Sequence, residues 1–297
     1  PDFFYTQTTA YPMLRRLGGS EMCIRDRART EQGEKNLNEV QKKLSAIKPE
    51  FFSVTFGALG SSQDATFATI TNLLKNTNVP IAPHLTCVGI KKNQTIDLLD
   101  KYIELGVNRV MVLKGDAPKV RFPYKNSQNK GDFHFANEMV EFIKEQYKGY
   151  FHIQVGAFPE KHPQSKSFTN DIKFFVNKVN SGANSAITQY FYNVDAYFSF
   201  VDEVQKFGVD IPIVPGIMPI TNYEDLISFS KIAGAEIPSW IINRLKIYRE
   251  NKPSLKAFGK EVVSEMCLKL KAAGVKDFHF YSMNRTEPVL SIAQNII

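Results

Sequence analysis

Short apolar runs recur along most of the chain, separated by longer stretches in which apolar residues return every three to four positions. The runs Phe51–Phe56, Ile81–Leu85, Arg109–Lys114, His152–Phe158, Ser185–Phe191, Ile211–Ile217 and Asp277–Met283 have the length and β-rich composition of buried strands. Between them the helical period predicts helices near Gln32–Ile47, Asp64–Lys75, Gln94–Leu105, Ala136–Glu145, Asp171–Asn180, Val194–Phe207 and Tyr223–Ile232. A further helical region, Pro238–Ala273, is expected in two or more pieces around Pro253. Gly106, Gly182, Gly208 and Gly274 stand where helix C-terminal caps are needed. Strand, helix, strand in repetition implies parallel strands joined by right-handed crossovers, and strands apolar on both faces fit a sheet covered on both sides. The expected fold is an α/β (β/α)8 TIM barrel. Its first strand is expected to be atypical or missing, because the vacancy falls before the helix at Gln32–Ile47. A doubly wound open sheet is the alternative, but Gly57–Gly60 is too short and misplaced for a phosphate-binding fingerprint.

The N-terminal stretch breaks the rhythm. Pro1–Arg29 shows neither alternation nor a helical period leading into a βα loop, and Gly19–Arg27 resembles the translation of a sequencing-library adapter. The chain therefore divides into an atypical segment at 1–29, open to being an artefact, and a barrel domain at 30–297.

Composition narrows the class. No run approaches the roughly 18 apolar residues of a membrane span. Cys23, Cys87 and Cys267 lie far apart without a CxxC pair, so a cytoplasmic protein without a metal site is expected. The net charge of +7 is spread along helical segments, with Lys119–Lys130 the nearest approach to a basic patch, and does not point to nucleic acid.

Barrel function collects where strands end. Here the strand ends read Thr55-Phe-Gly-Ala58, Pro83-His-Leu-Thr-Cys87, Lys114-Gly-Asp116, Phe158-Pro-Glu-Lys-His162, Thr188-Gln-Tyr-Phe191, Pro215-Gly-Ile-Met-Pro219 and Tyr281-Ser-Met-Asn-Arg285. Nearly every strand delivers a polar or aromatic group to one rim, more than an inert scaffold needs. Singly they say less: His84 could be a satisfied core imidazole, Asp116 a turn cap and Lys178 a solvated helix residue. Gln189 is harder to dismiss, since an unpaired buried amide costs about 1–3 kcal/mol.

Taken in order, these strings resemble methylenetetrahydrofolate reductase. The resemblance rests on Phe52–Ala58, Ala82–Cys87, Leu113–Asp116, Phe158–Pro163, Gly182–Gln189, Val214–Pro219 and Asp277–Arg285, and runs from about Thr30 to the C-terminus. It implies FAD at the rim, NADH or NADPH as reductant, ping-pong kinetics, 5,10-methylenetetrahydrofolate as substrate for one-carbon and methionine metabolism, and a homo-oligomer. Implied flavin contacts are Thr55, Phe56, Ala58, His84, Lys114, Gly115, Asp116 and Ala136, then Phe158, His162, Ser165, Asp171 and Lys178 towards the ribityl, diphosphate and adenosine parts. Asp116, Gln189 and Arg285 are the implied folate contacts, with Asp225 carried over weakly because relatives have glutamine there; Asp116 would also tune flavin and pterin.

Some residues depart from the family pattern. Lys114 stands for arginine, and Phe56 and Phe158 stand for tyrosine; Phe174 and Asn177 replace polar or cationic cofactor partners. The family's first strand carries Phe-Glu-Phe-Phe-Pro-Pro before a start like Arg29-Thr-Glu31, and counting back places Ile24 where that general-acid glutamate belongs. Folate reduction should suffer more than hydride transfer from the nicotinamide. Two alternatives stay open: a catalytically impaired flavin- or folate-binding protein, and a Schiff-base barrel using Lys114.

Overall fold

A computed structural model describes residues 20–24, 31–55, 63–115 and 131–296. Strands and helices alternate as the pattern requires: β1 Ser20–Ile24, α1 Glu31–Ser45, β2 Phe52–Val54, α2 Gln63–Asn76, β3 Ile81–Thr86, α3 Lys92–Glu104, β4 Arg109–Leu113 and α4 Ala136–Tyr147. There follow β5 His152–Ala157, α5 Phe168–Asn180, β6 Ser185–Thr188, α6 Val194–Gln205, β7 Ile213–Val214, β8 Gly216–Ile217 and α7 Tyr223–Ala233. The last elements are α8 Ser239–Ile247, α9 Lys252–Ala272, β9 Phe278–Tyr281 and α10 Glu287–Ile296.

All strand pairs are parallel, in the order β7-β6-β5-β4-β3-β2-β1-β9-β8. The two outermost strands are consecutive in sequence, parted only by Pro215, whose missing N–H interrupts the ladder. So the single run expected at Ile211–Ile217 serves both ends of the order, β7 bonding β6 and β8 bonding β9.

A first strand is present and atypical in sequence, so of the two expected cases the missing one is not met. Ser20–Ile24 lies between β2 and β9, with Met22 opposite Phe52 and Phe280, and Cys23 opposite Ser53 and Tyr281. Ladder pairing uses backbone N–H and C=O groups, so a short segment with the wrong motif still fills the place. The C-terminal helical region does fall into two pieces beside Pro253, as expected, α8 and α9. The break falls between Ile247 and Lys252; Pro253 lies in the first turn of α9, behind Asn251, whose side chain accepts from Ser254 N.

Alternation divides each strand between two cores. Phe52, Val54, Ile81, Leu85, Val110, Val112, Ile153 and Val155 pack outward against helix residues such as Leu99, Tyr102, Met139 and Phe175. Phe51, Ala82, Met111, Ile187 and Val214 form a separate inner cluster. At its N-terminal mouth Arg109 lies over the Phe51 ring at 4.4 Å and pairs with Glu50 at 2.6 Å, capping the lumen opposite the rim. Among the described residues no helix is long and apolar enough to cross a membrane.

Candidate active site

The rim is tied together from beneath. Tyr281 donates its hydroxyl proton to Thr188 O at 2.9 Å, and Thr188 Oγ1 accepts from Gly216 N at 2.8 Å, linking β6, β8 and β9. Gly216 is required there, because a Cβ would fall 2.1 Å from Thr188 O. These tying groups escaped the sequence reading, which saw Thr188 and Tyr281 only as strand-end residues.

The β5–α5 quarter gathers five implied cofactor residues. The loop after β5 turns back onto α5: His162 N donates to Asp171 Oδ2 at 2.9 Å, and Gln164 N donates to His162 Nδ1 at 3.1 Å. Phe158 meets the His162 ring edge-on at 4.5 Å, and Ser165 N donates to His162 O at 2.9 Å. Ser167 caps α5 by accepting from Asn170 N. About three turns later, Lys178 donates from Nζ to Gly156 O at the end of β5. Burial brings the Lys178 ammonium down to about 8, with Asp171 opposing that shift. The solvated-residue reading of Lys178 is therefore wrong: its head is held under the rim. Lys161 in the same loop has φ 92, strain of the kind that collects at functional loops.

On the neighbouring strands His84 is buried in β3, and burial together with His279 lowers its pKa to about 3, so its imidazole is neutral. Thr55 lies half-buried just past β2. Lys114 is exposed at the end of β4, its Nζ 5.4 Å from the centre of the Phe135 ring, beside Ala136 at the start of α4. Gly115 follows with φ 80, and a Cβ there would lie 2.8 Å from Thr86 Cβ. Phe56, Ala58 and Asp116 fall outside the described residues.

The implied folate residues are held more loosely. Gln189 N donates to Ala157 O at 2.7 Å, while its Oε1 accepts from Tyr190 N at 3.1 Å, leaving the amide nitrogen available. Arg285 Nη1 donates to Thr221 Oγ1 at 2.6 Å, and Nη2 lies 3.7 Å from Asp225 Oδ2, with side chains 52% and 50% exposed. Asp225 opens α7, where its N–H donates to the Asn222 cap. Met283 (φ 51) and Asn284 (φ 57), both left-handed, precede Arg285 and turn the chain out of β9. Thus the structure brings Arg285 and Asp225 together. A further group was not foreseen: Glu160, half-buried, whose carboxyl is raised by burial and whose Oε2 accepts from Glu236 N at 2.8 Å.

A curled parallel sheet with polar and aromatic groups crowded at its C-terminal edge defines an α/β protein of the class that binds and transforms small molecules at strand ends. The model of the methylenetetrahydrofolate reductase family matches residues 27–297, and the chain belongs to that family. It is 36% identical over 259 residues to 5,10-methylenetetrahydrofolate reductase of Buchnera aphidicola subsp. Schizaphis graminum, covering 87% of this chain and 85% of that one. The Pectobacterium carotovorum enzyme of the same name is 34% identical, covering 90% and 87%. Among solved structures, a Clostridium thermocellum protein described as binding two copies of 5-methyl-5,6,7,8-tetrahydrofolic acid superposes with TM-score 0.63 at 16% identity, covering 95% of both chains; this likeness speaks to the fold alone. The family match begins at residue 27, so β1 lies outside it.

Proposed function

We propose that the chain is a (β/α)8 barrel, with the strand split at Pro215 counted once, that reduces 5,10-methylenetetrahydrofolate to 5-methyltetrahydrofolate with NADH or NADPH. We further read it as a flavoprotein of the cytoplasm and a homo-oligomer, acting in one-carbon and methionine metabolism. The observation that carries the reading is the β5–α5 quarter, where a buried ammonium, an aromatic edge and a hydrogen-bonded loop converge at a strand end.

These residue types fit FAD. Lys178 offers a cation to a diphosphate, Ser165 and the loop N–H groups offer donors, and Phe158 with His162 offers an aromatic wall. His84, Thr55, Lys114, Gly115 and Ala136 would line the flavin ring, joined by Phe56, Ala58 and Asp116. When bound, FAD supplies a two-electron carrier that reduced nicotinamide and folate can use in turn, hence ping-pong kinetics. Gln189 orients the pterin edge, Arg285 pairs with a glutamate carboxylate, Asp225 trims that charge, and Asp116 tunes both partners. The β1 position that a general acid would take holds Ile24, and acid catalysis is worth about 10²–10⁴-fold. Folate turnover should fall by that order, while nicotinamide oxidation with an artificial acceptor persists.

The test is steady-state kinetics of the FAD-supplemented chain, with 5-methyltetrahydrofolate measured by chromatography. Parallel double-reciprocal lines and a folate rate far below the artificial-acceptor rate are expected. A flavin-independent rate, or a borohydride-trapped adduct on Lys114, overturns the reading.

A further inference from the structure

The lumen beneath the rim is not wholly apolar. Ser53 on β2, His84 on β3 and Gln154 on β5 lie on the inward face shared with Phe51, Ala82 and Met111. Ser53 and Gln154 are fully buried and His84 is 7% exposed. Register sets them close: Met111 stands opposite His84 on one side and Gln154 on the other, and Gln154 stands opposite Ser185 in turn. Yet Ser53 Oγ, His84 Nε2 and both amide atoms of Gln154 lack a hydrogen-bond partner in the protein. Ser185 bonds none of these atoms; its hydroxyl meets His152 Nε2 at 2.8 Å.

Buried side-chain polar atoms are almost always satisfied by protein or by ordered water, and an internal water makes about three hydrogen bonds. The complementarity here is to water. Gln154 offers two donors and an acceptor, Ser53 a donor and acceptors, and His84 one ring nitrogen of either role. We propose that the lumen binds ordered water bridging Gln154, Ser53 and His84 Nε2, and that Gln154 thereby acts as a positioning residue fixing the tautomer and tilt of the His84 ring at the rim. The imidazole is neutral, so one ring nitrogen accepts and the other donates, and the role that Gln154 and Ser53 leave to the bridging water decides which. Met111 between them keeps the side chains from meeting directly, which leaves water as the connector. The consequence for the cofactor rests on the flavin reading above; the hydrated site does not.

The full chain, FAD-supplemented and labelled with ¹⁵N in its histidine rings, decides the matter. Wild-type His84 is expected to show a single tautomer and a magnetisation-transfer contact with long-lived water. Gln154→Met, which keeps the volume and removes the polar ends, should abolish that contact, mix the tautomers and weaken FAD binding roughly two- to tenfold, the size of one neutral hydrogen bond. Ser53→Ala should do the same more weakly, and stands in if Gln154→Met does not fold. A wild-type His84 without a water contact, or variants that leave tautomer and contact unchanged, overturns the proposal. Loss of flavin binding by the wild type would sink the flavin reading while leaving the water result to stand on its own.

Discussion

Two sectors of one rim are built to different tolerances. Around β5 and α5, each implied cofactor residue is locked by a neighbour: His162 by Asp171, Phe158 by His162, and Lys178 by Gly156 O with its head buried. Around β8, β9 and α7, Arg285 and Asp225 are half-exposed and meet at 3.7 Å, a separation at which surface ion pairs contribute about 0–1 kcal/mol. The difference suits two kinds of ligand. A resident cofactor gains from donors fixed beforehand, whereas a substrate that must enter and leave gains from a charged group that can change partners.

The contrast breaks most readily at Lys178. Replacing it with methionine removes a buried charged hydrogen bond worth about 1.5–3 kcal/mol, so FAD affinity should fall roughly 10- to 100-fold with folate KM little changed. Equilibrium dialysis against FAD checks this, and unaltered affinity would mean the β5–α5 sector is not the cofactor's.

Next comes acid. Burial lowers His84 and His279 to about 3, so both stay neutral in the folded chain. Unfolded histidines take up protons below about pH 6.5, so stability present above that pH is lost as pH falls towards the folded values. Between pH 6.5 and 5 each costs about 2 kcal/mol, and urea midpoints should drop accordingly. His152, lowered to about 4 by burial and Arg109, adds a similar share, so His84→Gln should remove about a third of the dependence; a flat profile contradicts the buried neutral histidines.

On the looser side, Arg285→Ala should raise folate KM about tenfold, one charged contact's worth, without moving FAD affinity. Smallest of all, Asp225→Asn should lower folate KM by less than about fivefold by freeing Arg285 from a weak competitor. A larger effect of Asp225→Asn than of Arg285→Ala would invert the comparison.

The strands were legible because they are short, mostly apolar and β-rich runs, and four of the helix ends because Gly106, Gly182, Gly208 and Gly274 all take positive φ. Other features lie beyond pattern. The place of β1 is decided by backbone pairing across from Phe52 and Phe278, to which the side-chain sequence of Ser20–Ile24 gives no clue. Gln154 and Ser53 look like the polar half of ordinary alternation, since a period of two cannot distinguish a lumen from solvent. Lys178 shows the same limit on a helix: its spacing reads as surface, and only the end of β5 above it makes the ammonium buried. Motif order revealed the rim, and geometry alone revealed which of its residues are locked.

The most direct test of the account is an anaerobic absorbance titration of the purified, FAD-supplemented chain, first with NADH and then with methylenetetrahydrofolate. Protein-bound flavin bands that bleach with NADH and return only slowly with folate are the expected result: an intact cofactor sector and a first strand without its acid. A chain that retains no flavin, or flavin that NADH does not bleach, would contradict it.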